Sequence, residues 1–175
     1  GIDFVSGLGL MEGMGNGLFA PEGTLTRAQL VTILYRAEGE PEVEFKGVFS
    51  DVADELWYSD AIEWAAANNI VNGYEDGTFN PDGLVTREQM AAILWRYAKY
   101  MGYDVSVGEE TNILSYDDAF DIAEDAIPAM QWACGSGLIQ GIEKNGTMYL
   151  DPHGYATRSQ SAMMIYRFCT EINKQ

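Results

Sequence analysis

Cations are scarce in this 175-residue chain, where ten lysines and arginines face 27 aspartates and glutamates for a formal charge of −17. That balance excludes the cationic track a nucleic acid needs and a polybasic dock on a membrane. No apolar run approaches the roughly 18 residues that cross a bilayer. Two cysteines, Cys134 and Cys169, are too few for a disulfide framework. Two quiet thiols or a single bond both fit them. The only histidine, His153, sits in the loop "DPHGY" with no cysteine or serine spaced to partner it. No carboxylate pair stands out for glycoside hydrolysis, and the loop "YEDGTFNPDG" lacks the alternating carboxylates and closing glutamate of a calcium loop. No enzyme, cofactor or metal is expected. At 47% hydrophobic, the composition fits a globular chain with one good core or a few small repeats. Its opening, "GIDFVSGLGLMEG", reads as the middle of a pattern, so the lack of a leader says nothing of compartment.

The few cations are not scattered. "TLTRAQ" (24–29), "LVTREQ" (84–89) and "YATRSQ" (155–160) carry Arg27, Arg87 and Arg158; Pro21, Pro81 and Pro152 stand six residues before them, and Arg36, Arg96 and Arg167 nine after. Six of the ten cations thus occupy two repeated positions, which a random surface does not produce. Upstream, "IVNGYEDGTFNPDG" (70–83) echoes "LMEGMGNGLFAPEG" (10–23), and "LIQGIEKNGTMYLDPHG" (138–154) matches with three residues inserted. "DAIEWAAANNIVNG" (60–73) parallels "PAMQWACGSGLIQG" (128–141), with Cys134 where the other copies hold Ser6 and Ala66. The chain is an internal repeat.

Each copy reads as helix, Gly-rich loop, helix. Ala61, Ile62, Ala65, Ala66 and Ile70 recur at helical spacing, with Asn72-Gly73 as the expected C-cap. The second helix opens on Thr with Gln three residues later (Thr26 and Gln29, Thr86 and Gln89, Thr157 and Gln160), a capping box in triplicate. Two short helices cannot bury their apolar stripes alone, so the copies pack on one another. The fold class is all-α, with repeats over 1–40, 41–100 and 101–175.

Residues 49–96, "FSDVADELWYSDAIEWAAANNIVNGYEDGTFNPDGLVTREQMAAILWR", closely resemble an S-layer homology module. The likeness includes the Phe-Ser-Asp-Val opening, the Trp57-Tyr58 pair, the loop through Tyr74, Asp76 and Gly77, and the Thr-Arg helix start. It implies three tandem modules in a pseudo-threefold bundle, central helices holding the core and loops protruding. It also implies an extracellular module at the bacterial cell wall, carried by a larger surface protein. Grooves between modules would bind secondary cell-wall polysaccharide, often bearing ketal-linked pyruvate.

An arginine on a first helical turn opposes the helix dipole at a cost of about 0.3–1 kcal/mol, so its repetition needs a reason. One is an internal carboxylate such as Asp51 or Asp76. The other, favoured by the resemblance, is a ligand: a guanidinium takes a carboxylate through two parallel hydrogen bonds, and the helix start would add free N–H donors. Arg27, Arg87 and Arg158 are then expected to hold one anionic group each. Arg36, Arg96 and Arg167, near their helix ends where the dipole favours cations, read as structural. Trp57 and Tyr58 serve as a sugar platform or a core plug, and Asp51 as a turn cap or a sugar acceptor. Gly13, Gly73 and Gly141 allow positive φ or close approach of a sugar. Asp76 completes the ligand-binding candidates without a settled role. The first module lacks a counterpart of 49–60 and the third lacks the Trp-Tyr pair, so fewer than three equivalent sites are expected. A structural or protein-binding repeat without glycan binding is the alternative.

Overall fold

A computed structural model describes residues 23–172, and Gly13 with the first half of repeat one lies outside them. The described chain is mostly helical. Three helices begin at the repeated arginines: α1 (Arg27–Ala37), α3 (Arg87–Tyr100) and α5 (Arg158–Arg167). Two shorter ones precede the loops: α2 (Ser59–Ala67) and α4 (Ile127–Gly135). All three expected capping boxes are formed. Thr86 Oγ1 accepts from the Gln89 N–H at 3.2 Å while Gln89 Oε1 accepts from the Thr86 N–H at 3.1 Å. The boxes at Thr26 and Thr157 match it.

The remaining N-terminal donors are satisfied between repeats. The Arg27 N–H donates to Gly83 O at 2.8 Å, the Arg87 N–H to Gly154 O at 2.9 Å, and the Arg158 N–H to Gly23 O at 2.7 Å. The next residue follows in two copies, Ala28 N–H to Pro81 O and Glu88 N–H to Pro152 O, each at 3.0 Å. Single β-bridges pair Thr24 with Thr157, Thr26 with Leu84 and Thr86 with Tyr155. Repeat one thus leans on the loop of repeat two, two on three, and three on one. This explains the Pro-x-Gly spacing before Arg87 and Arg158: it presents two carbonyls to a neighbour's helix start.

Helix packing also crosses the repeat boundaries. Helix α2 lies on α1, with Trp64 against Tyr35 at 5.6 Å between ring centroids, and α4 lies on α3. Leu30, Ile33, Leu34, Met90, Ile93 and Leu94 are all buried, as the apolar spacing requires, together with Ile62, Ala65 and Ile70. The stretch 98–114 is not a loose linker. It carries a 3₁₀ turn (Ser106–Glu110) pressed on α4, where Gly108 leaves no room for a Cβ against the Trp132 backbone.

The all-α expectation needs one amendment. The three residues inserted in the third loop let it extend into a two-stranded antiparallel hairpin, β1 (Ile142–Lys144) and β2 (Thr147–Tyr149), around Asn145-Gly146. The C-cap expected at Asn72-Gly73 also falls elsewhere. Helix α2 ends at Ala67, with Asn69 left-handed at φ 59°, its N–H donating to Ala66 O and the Ile70 N–H to Ala65 O. That pattern is a Schellman motif, and Ile70 and Val71 turn back into the core as a consequence.

Candidate functional site

The two arginines that begin α1 and α3 are buried, with Arg27 7% and Arg87 6% exposed. Each is clamped by its neighbour's loop. Arg27 Nε donates to Phe79 O at 2.8 Å and its guanidinium lies over the rings of Phe79 and Tyr74, 4.7 and 5.0 Å from their centroids. Arg87 Nε donates to Leu150 O at 2.8 Å and Nη2 to Gln140 O at 3.4 Å. Neither reaches a carboxylate at ion-pair distance among the described residues, so the internal-carboxylate account of these arginines fails as direct pairing. Nor does the helix start offer spare N–H donors to a ligand, because the first two are bonded to the adjoining loop. The guanidinium tips are what remain available.

They open into equivalent grooves. The first, about 280 Å3, is lined by Arg27, Gly73, Tyr74, Gln89 and Arg96; the second, about 380 Å3, by Arg87, Gly141, Ile142, Gln140, Gln160 and Arg167. The second arginines of repeats two and three, Arg96 and Arg167, read from sequence as structural, therefore face the groove beside the first arginine of the preceding repeat. Arg167 Nη1 donates to Leu138 O at 3.2 Å, and Arg96 makes no hydrogen bond among the described residues. Arg36 does fit the structural reading, reaching Glu40 at 3.9 Å. For Arg96 a usable signal was present: Arg36 has an acid four residues on, whereas Arg96 has none at three or four residues in either direction; Arg167, with Glu171 four residues on, carried no such signal. A cation without a helical partner faces something else.

Burial pushes the Arg27 guanidinium below its ordinary value; Tyr74 and Asp51 oppose the shift and nearby Arg96 adds to it. Arg87 is lowered by burial and supported by Asp151, Cys134 and Asp118. Arg96 is lowered by burial and supported by Asp125. All remain cations, since arginine starts so high. The first groove therefore presents two partly desolvated guanidiniums, and the second presents Arg87 beside the half-buried Arg167, arrangements suited to an anion.

The other sequence candidates separate from the grooves. Asp51 accepts the Phe79 N–H at 2.8 Å and the Asn80 N–H at 2.7 Å, fixing the carbonyl that holds Arg27. Asp118 does the same for Leu150 and Asp151, both at 2.8 Å. Sequence reasoning missed Asp118, although "YDD" aligns with "FSD" once the inserted residues are set aside. Asp76 Oδ1 takes the Thr78 N–H and hydroxyl within its own turn, which holds its carboxyl below the usual range. Trp57 is 57% exposed and lies outside both grooves, on a separate acidic cavity of about 710 Å3 with Glu40, Glu42 and Asp60. Its edge meets the buried Tyr58, so Tyr58 is the core residue of the pair.

Gly73 and Gly141 do line the grooves, for different reasons. Gly73 has φ 72° and abuts Phe49; Gly141 has no positive φ and is required because a Cβ would strike Tyr116. His153, read as a plain loop residue, lies 3.4 Å from Glu88. Cys134 and Cys169 are not joined in a disulfide, and burial pushes the Cys134 thiol up to about 11. Arg158 begins α5 in the equivalent position, and Gly13 lies outside the described residues.

Tandem helical repeats, each completed by the next, with paired arginines on the grooves between them, define the class of module. The family follows from comparison: residues 1–31 and 48–91 match the S-layer homology domain, and the chain belongs to that family. It is 31% identical over 98% of its length to the exoglucanase XynX of Acetivibrio thermocellus and 32% identical over 94% to the surface-layer 125 kDa protein of Lysinibacillus sphaericus. It spans only 15% and 13% of those proteins. The undecaheme cytochrome from the S-layer of Carboxydothermus ferrireducens superposes with a TM-score of 0.52, over 94% of this chain and 20% of that one, at 17% identity. That likeness establishes the fold alone.

Proposed function

We propose that this chain is a non-catalytic anchor that holds a larger surface protein to secondary cell-wall polysaccharide, in forms carrying anionic groups such as ketal-linked pyruvate. Its setting is the extracellular bacterial surface, as its family and its surface-layer relative indicate. The observation that carries the reading is the pair Arg27 and Arg96, brought from successive repeats to one groove without a direct carboxylate partner among the described residues. Repeats over 1–40, 41–100 and 101–175 form a pseudo-threefold bundle in this reading, supported by the cyclic bonds from Arg27, Arg87 and Arg158. Arg27, Arg87 and Arg158 each take one anionic group. Gly73 and Gly141 bring backbone close to the sugar, and Asp51 acts through the loop it fixes. A module of this kind rides on enzymes and structural proteins alike, so the parent's activity is separate from the anchor's.

A protein-binding repeat is the second reading, favoured by Phe120, 90% exposed beside Leu114 at 64%. Sedimentation with purified sacculi, native and stripped of secondary polymer, separates the two. Glycan anchoring requires co-sedimentation with native sacculi only, and its loss in Arg27→Lys/Arg87→Lys, where the point charge remains but the fork is gone. Equal sedimentation with stripped sacculi would sink it.

A further inference from the structure

The two described grooves share a plan but not a charge. In the first, Arg27 and Arg96 are matched by two carboxylates on the lining, Glu88 and Asp125. In the second, Arg87 and Arg167 have none among the described residues; the position of Glu88 is taken by Ser159. The more remote acids do not restore the balance. Asp51 near Arg27 and Asp118 near Arg87 play the same part in both copies, each with its two oxygens bound to loop N–H groups. Asp151 also supports Arg87, but it is exposed and its carboxylate lies over Gly154, away from the groove lining. Glu88, by contrast, is 9% exposed and fixed, its Oε2 accepting the Ala123 N–H at 3.0 Å. A held, poorly solvated carboxylate on the lining repels an incoming anion more strongly than a mobile surface one does.

We infer that the two grooves differ in how tightly they hold the same anionic sugar: the groove between α3 and α5, with Arg87 and Arg167, binds it about tenfold more tightly than the groove with Arg27 and Arg96, whose lining also carries Glu88 and Asp125. The assignment rests on the grooves being glycan sites and ranks them for one ligand. It makes Arg167 a ligand contact and Glu88 a determinant of affinity. In a chain of charge −17, the second groove is then where an acidic polymer docks without meeting a carboxylate on the lining.

The test follows the arginine Nε–H signals by NMR during titration with glucuronate, glucose 6-phosphate and glucose. Arg87 and Arg167 should respond to an acidic sugar at a concentration about tenfold below that needed at Arg27 and Arg96. Whichever of glucuronate and glucose 6-phosphate acts first tells a carboxylate from a phosphate. Glucose should show no preference for the second groove. Glu88→Gln with Asp125→Asn should bring the first groove to the affinity of the second, and Ser159→Glu should weaken the second by about tenfold. An equal or reversed order, no response at Arg87 and Arg167, or indifference to Ser159→Glu each overturns the inference. Failure to sediment with native sacculi while this order holds would instead overturn the anchoring reading alone.

Discussion

Gly73→Ala probes the groove floor. Gly73 sits at φ 72°, and a Cβ there would lie 2.3 Å from Phe49 Cε1 and 2.8 Å from Thr78 O. The left-handed backbone alone costs an alanine about 1–2 kcal/mol. Phe49 cannot simply swing aside, because it is 6% exposed and packs on Phe79 at 5.4 Å, so overpacking adds about 1–3 kcal/mol. The sum, about 2–5 kcal/mol, is a large part of the roughly 5–15 kcal/mol that holds a domain together. Gly77→Ala is the control: φ is 84° but nothing lies within 4 Å of the added carbon, so only the backbone cost of about 1–2 kcal/mol applies. Urea unfolding followed by tryptophan fluorescence should show the Gly73 midpoint falling by about 1–2 M, and clearly further than that of Gly77. Equal losses would refute the steric account and leave Gly73 to a role in approach of the ligand.

Asp51→Ala and Asp118→Ala should cost about the same, roughly 1–3 kcal/mol after allowance for solvent screening. They should also speed amide exchange at Phe79 and Asn80, or at Leu150 and Asp151; loss at only one site would break the equivalence of the two clamps. Thr86→Ala should cost about 1 kcal/mol, and Gln89→Ala added to it should cost little more, since the box acts as a unit. With its thiol pushed up to about 11, Cys134 should react with a disulfide reagent about a thousandfold below its limiting rate at pH 8, rising tenfold per pH unit toward that value. The sign for stability follows. The unfolded thiol ionises first, so folding loses this contribution as pH rises from the ordinary thiol range to about 11.

Legibility in the sequence followed the range of the interactions. Local rules wrote the capping boxes at Thr26, Thr86 and Thr157 and the buried stripe through Ile62 and Ala65, and those were readable. The groove was partly readable, because Arg27 and Arg87 announce themselves by opposing their own helix dipole. Arg96 and Arg167 were not read as groove residues, because a favourable dipole gave each a sufficient local reason; what places them is contact with the preceding repeat. The roles of Trp57 and Tyr58 were not separable, since an aromatic pair says that one ring is buried without saying which. The hairpin at 142–149 depended on three inserted residues whose conformation is set by tertiary context.

The circuit of bonds from Arg27 to Gly83, Arg87 to Gly154 and Arg158 to Gly23 also fixes a number. An open solenoid tolerates gain or loss of a unit, because each new copy stacks on the last and a cap closes the end. Here the last unit hands its donor back to the first, so there is no end to extend. A copy removed leaves one helix start without its acceptor, and a fourth finds both neighbours already engaged. If the proposed threefold anchor holds, such a module changes size only by whole sets of three, and firmer attachment would come from a second set on a linker, through effective concentration.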